Sequence, residues 1–100
     1  MDTRKTLVSM LQQLLKEMEI VSSQGSGYYT CAPFAQRYNK LLGQARLLFT
    51  GSDSIIGTFE PLVESDPKDP ADKGKVLLAI RVESSQLITL LQSLGEGADA

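Results

Sequence analysis

Lys75-Val76-Leu77-Leu78-Ala79-Ile80-Arg81-Val82 is the stretch on which the fold turns. Taken alone it reads two ways. A short apolar run with β-branched residues suits a buried strand, and periodicity alone does not separate that strand from buried helix. As a strand it would start at Gly74, and Ser84 or Ser85 would cap a shorter helix behind it. It would also need a partner, and only residues 54–63 offer one. The alternative fold is therefore α+β, with a short hairpin from 54–63 and 75–82.

The longer context favours helix. Leu77, Ile80, Ser84, Leu87, Leu91 and Leu94 recur in steps of 3 and 4, and the phase runs unbroken across Ser84. Asp69 is placed to cap this helix, Pro70 suits its first position, and Asp72 suits the positive end of its dipole. Gly95 is placed to stop it. Ala79 and Val82 fall off the main stripe and leave a second apolar patch, which points to a dimer or larger assembly.

Working outward, residues 52–69 form an irregular crossover rich in acids and closed by Pro61, Pro67 and Pro70. Ile55, Ile56, Phe59, Leu62 and Val63 make it too apolar for a free linker. The pattern predicts a helical turn near 53–56, then an extended run pinned by Phe59 and Leu62. Before it, residues 31–50 read as an amphipathic helix. Phe34, Tyr38, Leu41, Ala45 and Leu48 carry the same 4-3 rhythm, Leu42 and Phe49 flank it, and Gly51 is placed to end it. At the N-terminus, Leu7, Leu11, Leu14, Met18 and Val21 mark a helix over 2–22, widened by Val8 and Leu15 and capped by Asp2 or Thr3. A serine- and glycine-rich turn around Gly25 and Gly27 separates the first two helices.

The predicted fold is thus an all-α three-helix bundle, with helices near 2–22, 31–50 and 70–94, in up-down-up or a close variant, as a single helical domain over 1–100. One hundred residues bury a core of modest stability, to which self-association can add.

Charge is unevenly placed. Residues 1–50 carry six bases and three acids, +3; residues 51–100 carry four bases and nine acids, −5; the sum is the net −2. No acid lies between Glu19 and Asp53, whereas Arg37, Lys40 and Arg46 all do. With Tyr28 and Tyr29 at the mouth of the second helix, these three bases form the candidate partner-binding set. Gln44 shares the side of Arg37 and Lys40 away from Phe34 and Leu41. The competing expectation is that these bases have no external partner: either the acids of residues 60–72 fold back across Arg37 and Lys40 and neutralise them, or water simply solvates them.

Catalytic residue types are scarce. The chain has no histidine, so the commonest general base and metal ligand is missing. One cysteine, Cys31, makes neither an internal disulfide nor a cysteine-rich zinc site. Its place near a helix N-terminus would lower its pKa, against the plainer reading of a small half-buried thiol. The acids Glu60, Glu64, Asp66, Asp69 and Asp72 lack the spacing of a calcium loop. Gly25-Ser26-Gly27 follows a predicted helix instead of a strand, so it lacks the setting of a dinucleotide loop. No cofactor or metal is implied.

No apolar run reaches the roughly 18–20 residues that span a bilayer. Gln12 and Gln13 interrupt the apolar part of the N-terminus, unlike a signal peptide. Together with the lone cysteine, which fits a reducing compartment, these features lead to the expectation of a cytoplasmic chain away from membranes. The expected function is a non-catalytic helical protein–protein interaction module: a small adaptor, regulator or assembly subunit. A nucleic-acid-associated subunit using the basic face of the second helix ranks behind it. Third is a ligand-binding helical bundle with a pocket near Tyr28, Cys31 and Phe59.

Overall fold

The computed structural model describes residues 3–23, 31–49 and 55–98, without the side chains of Pro70 and residues 94–98. It contains α1 (Thr3–Ser23), α2 (Ala32–Arg46), a single 3-10 turn (Ile56–Thr58) and α3 (Pro70–Ala98). The three helices pack against one another as an all-α bundle. Among the described residues there is no strand, so the α+β alternative is not realised. Residues 75–82 lie inside α3. Leu77 and Ile80 are buried there while Leu78, Ala79 and Val82 are exposed, a helical rhythm that strand alternation cannot produce.

The stripes become the core. Leu7, Leu11, Leu14 and Met18 of α1 meet Tyr38, Leu41 and Ala45 of α2 and Leu77, Ile80, Leu87 and Leu91 of α3, all buried. Each large apolar side chain withdrawn in this way contributes about 1.5–3 kcal/mol. Asp69 caps α3 as its sequence position predicts: its Oδ1 accepts the Ala71 N–H at 2.9 Å. The Asp2 cap, the turn around Gly25 and Gly27, the Gly51 stop and Asp53 lie outside the described residues.

Two helix ends differ from expectation. The second helix ends at Arg46 instead of Thr50, because its last turn tightens. Leu48 and Phe49 donate to Ala45 O at 3.0 Å and Arg46 O at 3.2 Å, three residues back, and both side chains pack against the core. The third helix continues to Ala98 instead of stopping at residue 94. Glycine costs a helix about 1 kcal/mol relative to alanine but does not forbid it, so Gly95 is passed through.

The chain order is up-down-down, not up-down-up. Arg4 Nη1 donates to Leu91 O at 3.5 Å, so α1 runs antiparallel to α3. Cys31 Sγ donates to Lys73 O at 3.5 Å, so α2 and α3 start side by side and run parallel. The crossover must therefore retrace the whole of α2, and three polar side chains of α2 or the crossover hold it there. At the C-terminal end, Arg46 Nη2 donates to Phe59 O at 2.5 Å. Midway, Asn39 Nδ2 donates to Leu62 O and to Glu64 Oε2, and Asn39 Oδ1 accepts the Leu62 N–H, each at 2.8 Å. At the N-terminal end, Asp66 accepts the backbone N–H of Cys31, and of Ala32 at 3.4 Å. Cys31 sits at the N-cap without a side-chain cap bond, so a carboxylate from 35 residues away supplies both acceptor and charge at the positive end of α2. Ile56 and Phe59 are buried and Leu62 partly so, which confirms the predicted pinning by Phe59 and Leu62.

Candidate functional site

The candidate basic face divides. Tyr28 and Tyr29 lie outside the described residues. Arg46 belongs to the fold, since its guanidinium holds the Phe59 carbonyl. Arg37 and Lys40 are exposed and share one side of α2 with the exposed Gln44. Neither has a hydrogen bond or ion pair with any described residue.

Of the two internal expectations, cover by the described acids of the crossover does not form, and Arg37 and Lys40 are exposed as plain solvation would have them. Residues 35, 39, 42 and 46 form one row along α2, and the crossover follows that row. A helix turns 100° per residue, which puts Arg37 and Lys40 roughly 100–160° around from Asn39. Ile56 and Phe59 are buried in the core, and the segment that carries them is bonded to Asn39 and Arg46 on that row. The crossover's acids are committed on that side too, Glu64 to Asn39 and Asp66 to the α2 N-terminus.

The surroundings of Cys31 disfavour its thiolate. Its side chain is fully buried. Burial first, then the negative charge of Asp66, push its pKa up, and Lys73 opposes them only in part. The helix N-terminus that would lower it is already occupied by Asp66. The expected pocket near Tyr28, Cys31 and Phe59 does not form from its described members. Phe59 sits against Arg46 and Cys31 at the opposite end of α2, about 22 Å away over fifteen residues at 1.5 Å each. The apolar recess that does form, about 300 Å³, lies where the crossover meets α3, between Leu62, Val63, Pro67, Val76, Ala79 and Ile80. Among the described residues no three His, Cys, Asp or Glu side chains cluster as metal ligands do. No helix of the described residues is long and apolar enough to cross a membrane.

The surface that composition alone did not single out is the outer face of α3. Between Val76 and Ser93 its exposed positions are Leu78, Ala79, Val82, Ser85, Gln86, Thr89, Gln92 and Ser93. None carries a charge. Arg81 and Glu83, the charged residues of that span, are half-buried at the flanks. Leu78 is 58% and Val82 50% exposed, one turn apart on the same ridge. Thr89 Oγ1 donates to Ser85 O at 3.2 Å, so its hydroxyl is satisfied within the helix. The off-stripe residues Ala79 and Val82 predicted part of this patch. Leu78 completes it, and it was visible as an apolar residue one position after the stripe residue Leu77.

Comparison with family models, with curated proteins and with solved structures finds no match.

Proposed function

We propose that the chain is a non-catalytic helical interaction module, a cytoplasmic adaptor, regulator or assembly subunit that binds protein through the outer face of α3. One observation carries this reading: the exposed face of α3 from Leu78 to Ser93, about four turns, bears no charge, with the large apolar side chains Leu78 and Val82 at its N-terminal end. Solvated helices ordinarily present lysine and glutamate there, whereas depletion of charge marks the centre of protein interfaces. Affinity capture with the wild type and with Val82→Glu tests it. Proteins retained by the wild type and lost by the variant support the reading. Identical retention by both overturns it.

A second reading has its own observation. Arg37 and Lys40 stand uncovered by any described acid and offer two charges to a nucleic-acid backbone. Two charges give a shallow salt dependence, with a slope near −1.8 for duplex DNA at about −0.9 per phosphate neutralised. Absence of binding to single- or double-stranded RNA and DNA at about 50 mM salt, a permissive condition, removes this reading.

A further inference from the structure

The outer face of α3 continues into a groove against α1, about 620 Å³ in volume. Charged groups of both signs border it: Lys16 and Glu19 from α1 and Arg81 from α3. None of the three has an ion pair or hydrogen bond with a described residue. Their arrangement has a symmetry that the apolar residues share. Glu19 and Lys16 are one turn apart on α1; Leu78 and Val82 are one turn apart on α3. The antiparallel register, with Arg4 near Leu91 and Glu19 near Leu78, sets the midpoints of these two pairs beside each other within a turn.

We infer that a second copy of this chain docks on this face, about a two-fold axis passing between Leu78 and Val82 and between Lys16 and Glu19. Such an axis lays Leu78 of one copy on Val82 of the other, twice. The same operation brings Glu19 of each copy to Lys16 of the other, with Arg81 alongside, twice again. A closed two-fold interface requires a surface complementary to itself, and a patch bearing both signs around an apolar centre meets that condition. A uniformly basic or acidic partner does not fit it, because either would meet a like charge at one end. The net charge of −2 per chain gives little long-range repulsion between copies. The resulting contact sets the α1–α3 pair of one copy face to face with that of the other, α3 antiparallel to α3 and α1 antiparallel to α1, as in a four-helix bundle. This inference rests on the interaction-module reading and names its partner.

Sedimentation or light scattering with the purified chain alone tests it. The expected species is twice the 10.9 kDa chain at micromolar to submillimolar concentrations. Val82→Glu, at a half-exposed position, keeps its helical signal and weakens pairing by about 100-fold, because it buries an unpaired charge at the axis. Glu19→Lys weakens pairing by about tenfold through like-charge contact, and adding Lys16→Glu restores it by exchanging the signs. Restoration separates pairing from a general loss of stability, which the second substitution would not repair. A chain that stays monomeric throughout overturns self-docking, and leaves the capture experiment to judge the wider reading. A dimer indifferent to Val82→Glu, or not restored by the exchange, also overturns it.

Discussion

Tyr38→Phe should make this protein more stable, and the size of the effect follows from where the hydroxyl sits. The Tyr38 side chain is fully buried between α2 and α3. Its hydroxyl has no hydrogen-bond partner among the described residues. A hydroxyl withdrawn from water without a replacement bond costs roughly 1–3 kcal/mol by mutational measurement. Phenylalanine keeps the ring and its packing and deletes only that oxygen, leaving a void too small to cost much. The net expectation at neutral pH is a gain of about 1–2 kcal/mol, and each 1 kcal/mol raises the melting temperature by about 4–8 °C in a domain of this size.

The pH dependence gives an independent check on the same residue. Burial raises the Tyr38 pKa, the negative charge of Glu83 raises it further, and Arg46 opposes them in part. The folded state therefore holds the proton after the unfolded chain has released it. Below about pH 10, the ordinary tyrosine value, both states are protonated and stability is unaffected. Above it the unfolded state binds fewer protons, so stability falls by up to about 1.4 kcal/mol per pH unit. Phenylalanine lacks this term. The advantage of the variant should then widen by about 1 kcal/mol or more near pH 11. Urea titrations followed by far-ultraviolet circular dichroism, at neutral pH and near pH 11, read both effects against the wild type under the same conditions. A loss of about 1 kcal/mol or more in Tyr38→Phe at neutral pH would mean that the hydroxyl is well bonded, refuting the argument. A constant gap across the alkaline range would refute the burial of its ionisable oxygen.

Gly43→Ala should stabilise α2 by about 1 kcal/mol, read from the same urea titrations, because a β-carbon there meets no heavy atom of the described residues within 4 Å beyond its own stretch of helix backbone. Asn39→Ala removes three hydrogen bonds to the crossover and should cost about 2 kcal/mol. Limited proteolysis should then cut within residues 59–67 faster than in the wild type, and unchanged cleavage would show that the apolar anchors suffice. Cys31 should react with an alkylating reagent far more slowly in the folded chain than in urea, since its thiol is buried and its pKa raised. Reaction at the rate of a free thiol would contradict its burial.

Periodicity reports which side of a helix is buried, and here it did so almost residue by residue. Leu7, Leu11, Leu14, Met18, Tyr38, Leu41, Ala45, Leu77, Ile80, Ser84, Leu87 and Leu91 were named from their spacing and are all buried. Spacing carries no direction, however, and the same three stripes serve an up-down-up or an up-down-down bundle equally well. Direction was decided by Asn39, Arg46 and Asp66, whose bonds to or from the crossover span 13 to 35 residues. Single polar residues have no period, so nothing in the pattern marked them. The length of the crossover was the available clue. An extended run of about 3.3 Å per residue covers the roughly 22 Å of α2 in seven residues, and residues 59–66 do so between Arg46 and Cys31. A connection of that reach, stiffened by Pro61 and Pro67, is suited to returning along a helix and ill suited to a tight reversal. The surface of α3 was legible by subtraction. Removing the stripe from residues 78–89 leaves Leu78, Ala79, Val82, Ser85, Gln86 and Thr89 together with Ile88 and two charges, Arg81 and Glu83. The basic residues of α2 drew attention because charge stands out in a sequence. The outer face of α3 is marked by the lack of it, and that lack became a surface property only once Arg81 and Glu83 were seen at its edges.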